Sequence, residues 1–108
     1  MTSTPIVALI TAPSEEVGRE IAGALLEKKL AACVNILPGL RSLYKWKGET
    51  CDDAEVLLIA KTRAEIFQEG FVPAVREVHP YEVPEIIALP IAMGLQSYLD
   101  WIGEETAP

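Results

Sequence analysis

Soft metal ligands are scarce in this sequence: one histidine, His79, and two cysteines, Cys33 and Cys51. That scarcity excludes a preset zinc module, which needs four thiolate or imidazole ligands at short spacings, and Cys33 and Cys51 are too far apart for a CxxC pair. They read as separate free thiols in a reducing compartment, both structural. Positive charge is also scarce, with 9 basic against 16 acidic residues and a formal net charge of −7. Nucleic acid and anionic membrane surfaces both call for a basic face, so neither is expected as a partner. No apolar run reaches bilayer-spanning length. The first residues, Met1 to Pro5, carry no basic residue and show no signal or transit pattern, so the expected location is cytoplasmic.

What is present fits one folded unit. A chain of 108 residues, half of them hydrophobic, reads as a single domain spanning 1–108 with a real core. Pro5 to Thr11 is a branched apolar run, read as a strand buried on both faces. Ser14 follows as an N-cap, with Glu15 and Glu16 in the first helical turn, where the helix dipole favours negative charge. Val17, Ile21, Ala24 and Leu25 fall on one helical face, and Lys28 and Lys29 in the last turn. Gly18 and Gly23 either weaken this helix or let it pack closely on a sheet.

Leu30 to Lys47 reads as strand with a bend at Pro38-Gly39. Gly48 turns the chain and Glu49 to Ala60 returns. Leu40, Ser42, Tyr44 and Trp46 share one face of this hairpin, and Glu55, Leu57, Ile59 and Lys61 share a face of the return strand. So long a ribbon must stand away from a small body, leaving Tyr44 and Trp46 as an exposed partner surface. Thr62 and Glu65 have capping-box spacing for a second helix with a Phe67, Phe71, Ala74, Val75 and Val78 stripe. Pro73 inside that stripe predicts a kink or two pieces.

The segment from His79 to Ile91 follows, with prolines at 80, 84 and 90. Each proline pushes the residue before it toward extended backbone. A stiff loop from His79 to Glu85 therefore delivers a strand from Glu85 to Ile91, and this loop is the first place to seek a site. A last helix is expected to open at Gly94, bury Leu95, Tyr98, Leu99 and Ile102, and end at Gly103 before a frayed tail. The fold class is α+β. The order is the ferredoxin-like β-α-β-β-α-β with a C-terminal helix, its antiparallel sheet covered by helices on one face. The other sheet face is apolar with no helix to cover it, which predicts an oligomer.

The residues then show a resemblance to a known family. Leu30-Ala31-Ala32-Cys33-Val34-Asn35-Ile36 before Pro38-Gly39, Ser42-Leu43-Tyr44-Lys45-Trp46 before Gly48, and Lys61-Thr62 recur in order. His79-Pro80-Tyr81-Glu82-Val83-Pro84-Glu85-Ile86, Leu89-Pro90-Ile91 and Tyr98-Leu99-Asp100-Trp101 complete the set. From Ile6 to Trp101 the chain resembles the CutA family of divalent-cation tolerance proteins. The resemblance implies a compact homotrimer with PII-like architecture and no enzymatic activity. It also implies copper or another divalent metal as a bound ion, with no obligatory cofactor. The metal ligands it implies are a cysteine before the Thr-Ala-Pro turn and a histidine pair before Pro-Tyr. Here Ile10 and Val78 occupy two of those positions, so His79 alone carries over as metal ligand. Cys33, Lys61, Tyr81 and Glu85 are the accompanying candidates for a small ligand in an inter-subunit cleft. Two alternatives are a PII-like small-ligand sensor and a trimeric scaffold that captures a partner through Tyr44 and Trp46. Catalysis on this fold, as in an acylphosphatase, needs a phosphate-cradling loop with a positioned arginine. The turn Thr11 to Glu15 has neither arginine nor glycine, so no enzyme is expected.

Overall fold

The computed structural model describes residues 3–108. Its elements are strand β1 (Pro5–Ala12), helix α1 (Glu15–Glu27), the paired strands β2 (Cys33–Trp46) and β3 (Glu49–Arg63), helix α2 (Val72–Val78), strand β4 (Ile86–Pro90) and helix α3 (Gln96–Glu105). The strands lie in the order β2-β3-β1-β4, each antiparallel to its neighbours. This is the expected α+β arrangement.

Alternation fixes the two sheet faces. Ile6, Ala8, Ile10 and Ala12 of β1 are buried with Val56, Leu58 and Ala60 of β3, under Ile21, Leu25, Phe71 and Val75 of the helices. The intervening β1 residues Val7, Leu9 and Thr11 are only half-buried. The expectation that β1 is buried on both faces is therefore corrected: helices α1 and α2 seal one face only. On the opposite face the register sets Leu9 between Ile59 and Ile87, Val7 beside Leu89, and Leu37 beside Leu57. Ile87, Leu89 and Leu37 there are 49%, 50% and 54% exposed. A contiguous apolar stripe remains uncovered.

Helix α1 begins as its sequence dictates, Ser14 Oγ accepting the Val17 N–H at 3.2 Å. Gly18 lets the helix lie on the sheet, since a Cβ there would sit 3.4 Å from Leu58 and Val56. The helix ends at Glu27, just short of the two lysines expected in its last turn; Lys28 is the C-cap and Lys29 takes a left-handed φ of 56°. The capping box at Thr62 does not form. β3 runs on to Arg63, and the buried Thr62 hydroxyl donates instead to the Leu30 carbonyl at 2.7 Å. Glu65, freed from that role, accepts from the Thr4 N–H at 2.9 Å and hydroxyl at 2.6 Å. These bonds hold its carboxyl below the usual carboxylate range.

The second helix is in pieces, as Pro73 predicts. A 3₁₀ turn (Ala64–Ile66) and a π turn (Phe67–Phe71) precede α2, with Pro73 tolerated in its first turn. The C-terminal helix departs from expectation. It starts at Gln96, passes through Gly103 and ends at Glu105. Its end is anchored rather than frayed: the buried Arg63 donates to the Thr106 hydroxyl and carbonyl, each at 3.0 Å. Arg63 lies in phase with Lys61 and Ile59, so α3 covers one end of the sheet face that α1 and α2 leave open.

β1 pairs only with residues 56–63 of β3, so residues 40–46 and 49–55 form a free two-stranded ribbon. The molecule is accordingly elongated, 45 × 27 × 22 Å. The ladder shifts register between Leu37 and Leu40, where Pro38 and Gly39 (φ 85°) form the expected bulge. At the tip Lys47 and Gly48 both have positive φ, 50° and 82°, as a two-residue hairpin turn requires.

Candidate functional site

The prolines after α2 place a short loop against the base of the ribbon. His79 caps α2, its N–H donating to the Val75 carbonyl at 2.9 Å, and its side chain is buried at 7% exposure. Its ring Nδ1 accepts the Tyr81 backbone N–H at 3.2 Å, so the ring proton sits on Nε2, which donates to the Thr11 carbonyl at 2.7 Å. The single histidine thus pins the loop to the end of β1, with the Tyr81 ring packed 4.7 Å from its own.

Tyr81 points onward into the ribbon, and its hydroxyl donates to Glu55 Oε2 at 2.7 Å. Glu55 is 7% exposed, a nearly buried carboxylate on β3. Its other oxygen, Oε1, accepts no hydrogen bond from the described residues, yet no buried side-chain polar atom among them lacks a partner. Oε1 therefore opens toward solvent. Further along the ribbon Tyr44 donates to Asp53 at 2.5 Å, and Arg41 grips Asp52 through two bonds of 2.8 and 3.0 Å. Burial, then the bond and charge of Glu55, raises the Tyr81 phenol. The bond to Asp53 is the main reason the Tyr44 phenol is pushed up to about 12.

These residues enclose an open groove of about 750 Å³ between ribbon and loop. Its floor and walls come from Thr11, Arg41, Tyr44, Trp46 and Glu55 on one side and Pro80, Tyr81, Glu82, Val83 and Glu85 on the other. Tyr44 and Trp46 are 42% and 40% exposed, as the ribbon's sequence predicts. At the mouth the Lys47 ammonium lies 5.7 Å from the Trp46 ring centre and 4.0 Å from Glu82.

Two of the four ligand candidates, Tyr81 and Glu85, meet here together with Tyr44 and Trp46. Cys33 and Lys61 do not. They face each other across the β2–β3 ladder, six residues along β3 from Glu55, roughly 20 Å away. There the Lys61 ammonium and the Cys33 thiol both turn to Asn35. Ile10, in the position where the family resemblance implies a cysteine, is wholly buried in the core. His79 has both ring nitrogens engaged, and a metal there must displace one of those bonds. Among the described residues no three histidine, cysteine or acidic side chains converge to hold an ion. Sequence reasoning missed Glu55 and Lys47. Glu55 had a signal: a charge in phase with the apolar Leu57 and Ile59 must either be exposed or find a buried partner.

Comparison with known proteins defines the class. A family model described as CutA1 divalent ion tolerance protein matches residues 6–105. The divalent-cation tolerance protein CutA of Thermus thermophilus is 57% identical over 100 residues, covering 93% of this chain and 96% of its own. A solved Thermus thermophilus structure of that description superimposes with a TM-score of 0.92 at 55% identity, covering 95% of this chain and 99% of its own. The mouse protein CutA is 50% identical over 103 residues. This chain spans 55% of the mouse protein's length and is 92% covered by the match. The chain belongs to the CutA1 family of divalent-cation tolerance proteins. No described helix is long and apolar enough to cross a membrane.

Proposed function

We propose that this protein is a homotrimeric, non-enzymatic module of the cytoplasm that acts in the response to metal ions and holds copper or other divalent ions weakly. The observation that carries the reading is the uncovered sheet face of Val7, Leu9, Leu57, Ile59, Ile87 and Leu89. An apolar stripe of this kind on a small domain calls for another subunit. The free thiols Cys33 and Cys51 suit a reducing compartment. Weak rather than tight binding follows from His79: one imidazole already committed to two hydrogen bonds is a poor ligand for a divalent ion.

The test is calorimetric titration of the reduced protein with Cu(I), Cu(II) and Zn(II), alongside His79→Ala and Cys33→Ser. The expected outcome is dissociation constants no tighter than about 0.1 mM, some −5 kcal/mol, little changed in either variant. Micromolar, saturable binding abolished in His79→Ala would overturn the weak-binding reading and make the imidazole a direct ligand.

A second reading is favoured by the groove itself. Its volume of about 750 Å³ and its mixed aromatic and carboxylate lining suit a small organic molecule, as in a ligand sensor.

A further inference from the structure

The geometry points to an organic ammonium, specifically a short aliphatic di- or polyamine, as the ligand class of the groove between the ribbon and the 80–85 loop. The inference rests on the second reading above, that the groove takes a small molecule.

Three observations converge on this chemistry. The first is Glu55. A carboxylate at 7% exposure, with one oxygen held by Tyr81 and the other reached by solvent and by no protein donor, offers an acceptor that a ligand N–H can take over from water. A primary ammonium supplies both the charge and the N–H that Oε1 lacks. A quaternary ammonium supplies only the charge. The second is the lining. Tyr44, Trp46 and Tyr81 bring three aromatic rings to the groove, and cations are attracted to ring faces. The third is Lys47. Its ammonium stands at the groove mouth between the Trp46 ring and the Glu82 carboxylate, so the protein's own side chain already shows the pairing that the interior offers unfilled.

Charge selects further. Glu55, Glu82 and Glu85 line the groove, and its one lining arginine, Arg41, is neutralised by Asp52. An anionic ligand would meet net repulsion. A hard divalent ion needs several converging oxygens. The groove's carboxylates are instead spread from the interior to the mouth, and no three of the described acidic side chains gather. A flexible chain with two or more separated positive charges matches that spread.

The experiment is a titration of the full chain with spermidine, followed by amide and indole resonances in two-dimensional NMR. Glu55→Gln, Trp46→Ala and Glu82→Gln are run in parallel, with tetramethylammonium, magnesium and ATP as comparison probes. Glu55→Gln keeps the acceptor for Tyr81, and Trp46→Ala changes only an exposed ring, so the set does not hinge on one variant folding. The expected result is saturable shifts at Trp46, Tyr81 and Glu55, weakened at least tenfold in Glu55→Gln and severalfold in Trp46→Ala. Magnesium should leave these shifts unsaturated at equal ionic strength. Spermidine shifts spread over all acidic surfaces, or undiminished in Glu55→Gln, would overturn the proposal. ATP saturating the groove while spermidine does not would also overturn it, yet leave the ligand-groove reading standing. Silence of the groove residues with every probe would overturn both.

Discussion

His79 shows how one side chain can fix a loop. Its two nitrogens face opposite roles, one accepting from Tyr81 and one donating to Thr11, so a single neutral tautomer satisfies both. The tyrosines carry a more general signature. Each of the three is shifted upward: Tyr44 chiefly by its bond to Asp53, Tyr81 and Tyr98 chiefly by burial. Stability linked to these phenols is fully present below the unfolded value of about 10 and is lost as pH climbs through the folded values. An alkaline titration followed by tyrosinate absorbance should therefore be displaced upward from the ordinary tyrosine value of about 10 in the folded protein. Tyr44→Phe should remove a component near 12. A full-amplitude transition at the ordinary pH would show that these bonds do not persist in solution. Gly23 makes the opposite case, a residue with no structural duty. It lies exposed within α1, and an added Cβ would meet nothing within 4 Å. Gly23→Ala should raise stability by about 0.5–1 kcal/mol, read as a higher denaturant midpoint at unchanged slope.

At the scale of the element, what the sequence made legible was whatever local chemistry decides. The strand–helix order, the Ser14 cap, the Pro38-Gly39 bulge, the place of Gly48 in the turn and the break around Pro73 all follow from side-chain and backbone rules acting within a few residues. Local rules failed where a distant partner decided. Thr62 has the spacing of a cap, but Leu30, far back in the chain, claims its hydroxyl. Gly103 looks like a helix stop, but Arg63 reaches Thr106 and holds the helix beyond it. The same limit applied to the site. Tyr81 and Glu85 sit in the rigid loop that the prolines announce, whereas Glu55 becomes part of it only through a bond across 26 positions. Cys33 and Lys61, candidates for a cleft between subunits, pair with each other at the far end of the sheet within one chain.

The anchoring of α3 can be tested at this scale. Thr106→Val keeps shape and removes the hydroxyl that meets Arg63 Nε. Leaving a buried guanidinium short of one acceptor costs about 1–3 kcal/mol, so the denaturation midpoint should fall, while Thr106→Ser should restore it. An unchanged midpoint in Thr106→Val would mean that the Thr106 carbonyl alone secures the helix end.

For the whole molecule, the decisive feature is that one sheet face is sealed by α1 and α2 while most of the other is bare. Ile59 stands on that bare face, next to Leu9 in register. Ile59→Lys places a charge in the middle of the stripe without touching the core on the far side. Light scattering should give the mass of three chains for the native protein and of one chain for the variant, with the sheet's circular dichroism kept. A native protein eluting as a monomer would remove the basis for the assembly.

The ribbon of residues 40–46 and 49–55 is open on both sides. With β1 no longer beside it, both of its edges expose unpaired backbone groups, so each chain carries two rails along which another chain's backbone can dock. Strands twist with one hand. Copies added along such rails must rotate in the same sense at each step, and a repeated rotation of constant angle either closes a ring or winds into a fibre. Backbone pairing along the ribbon thus gives a direction of growth, and the packing of side chains decides whether that growth closes.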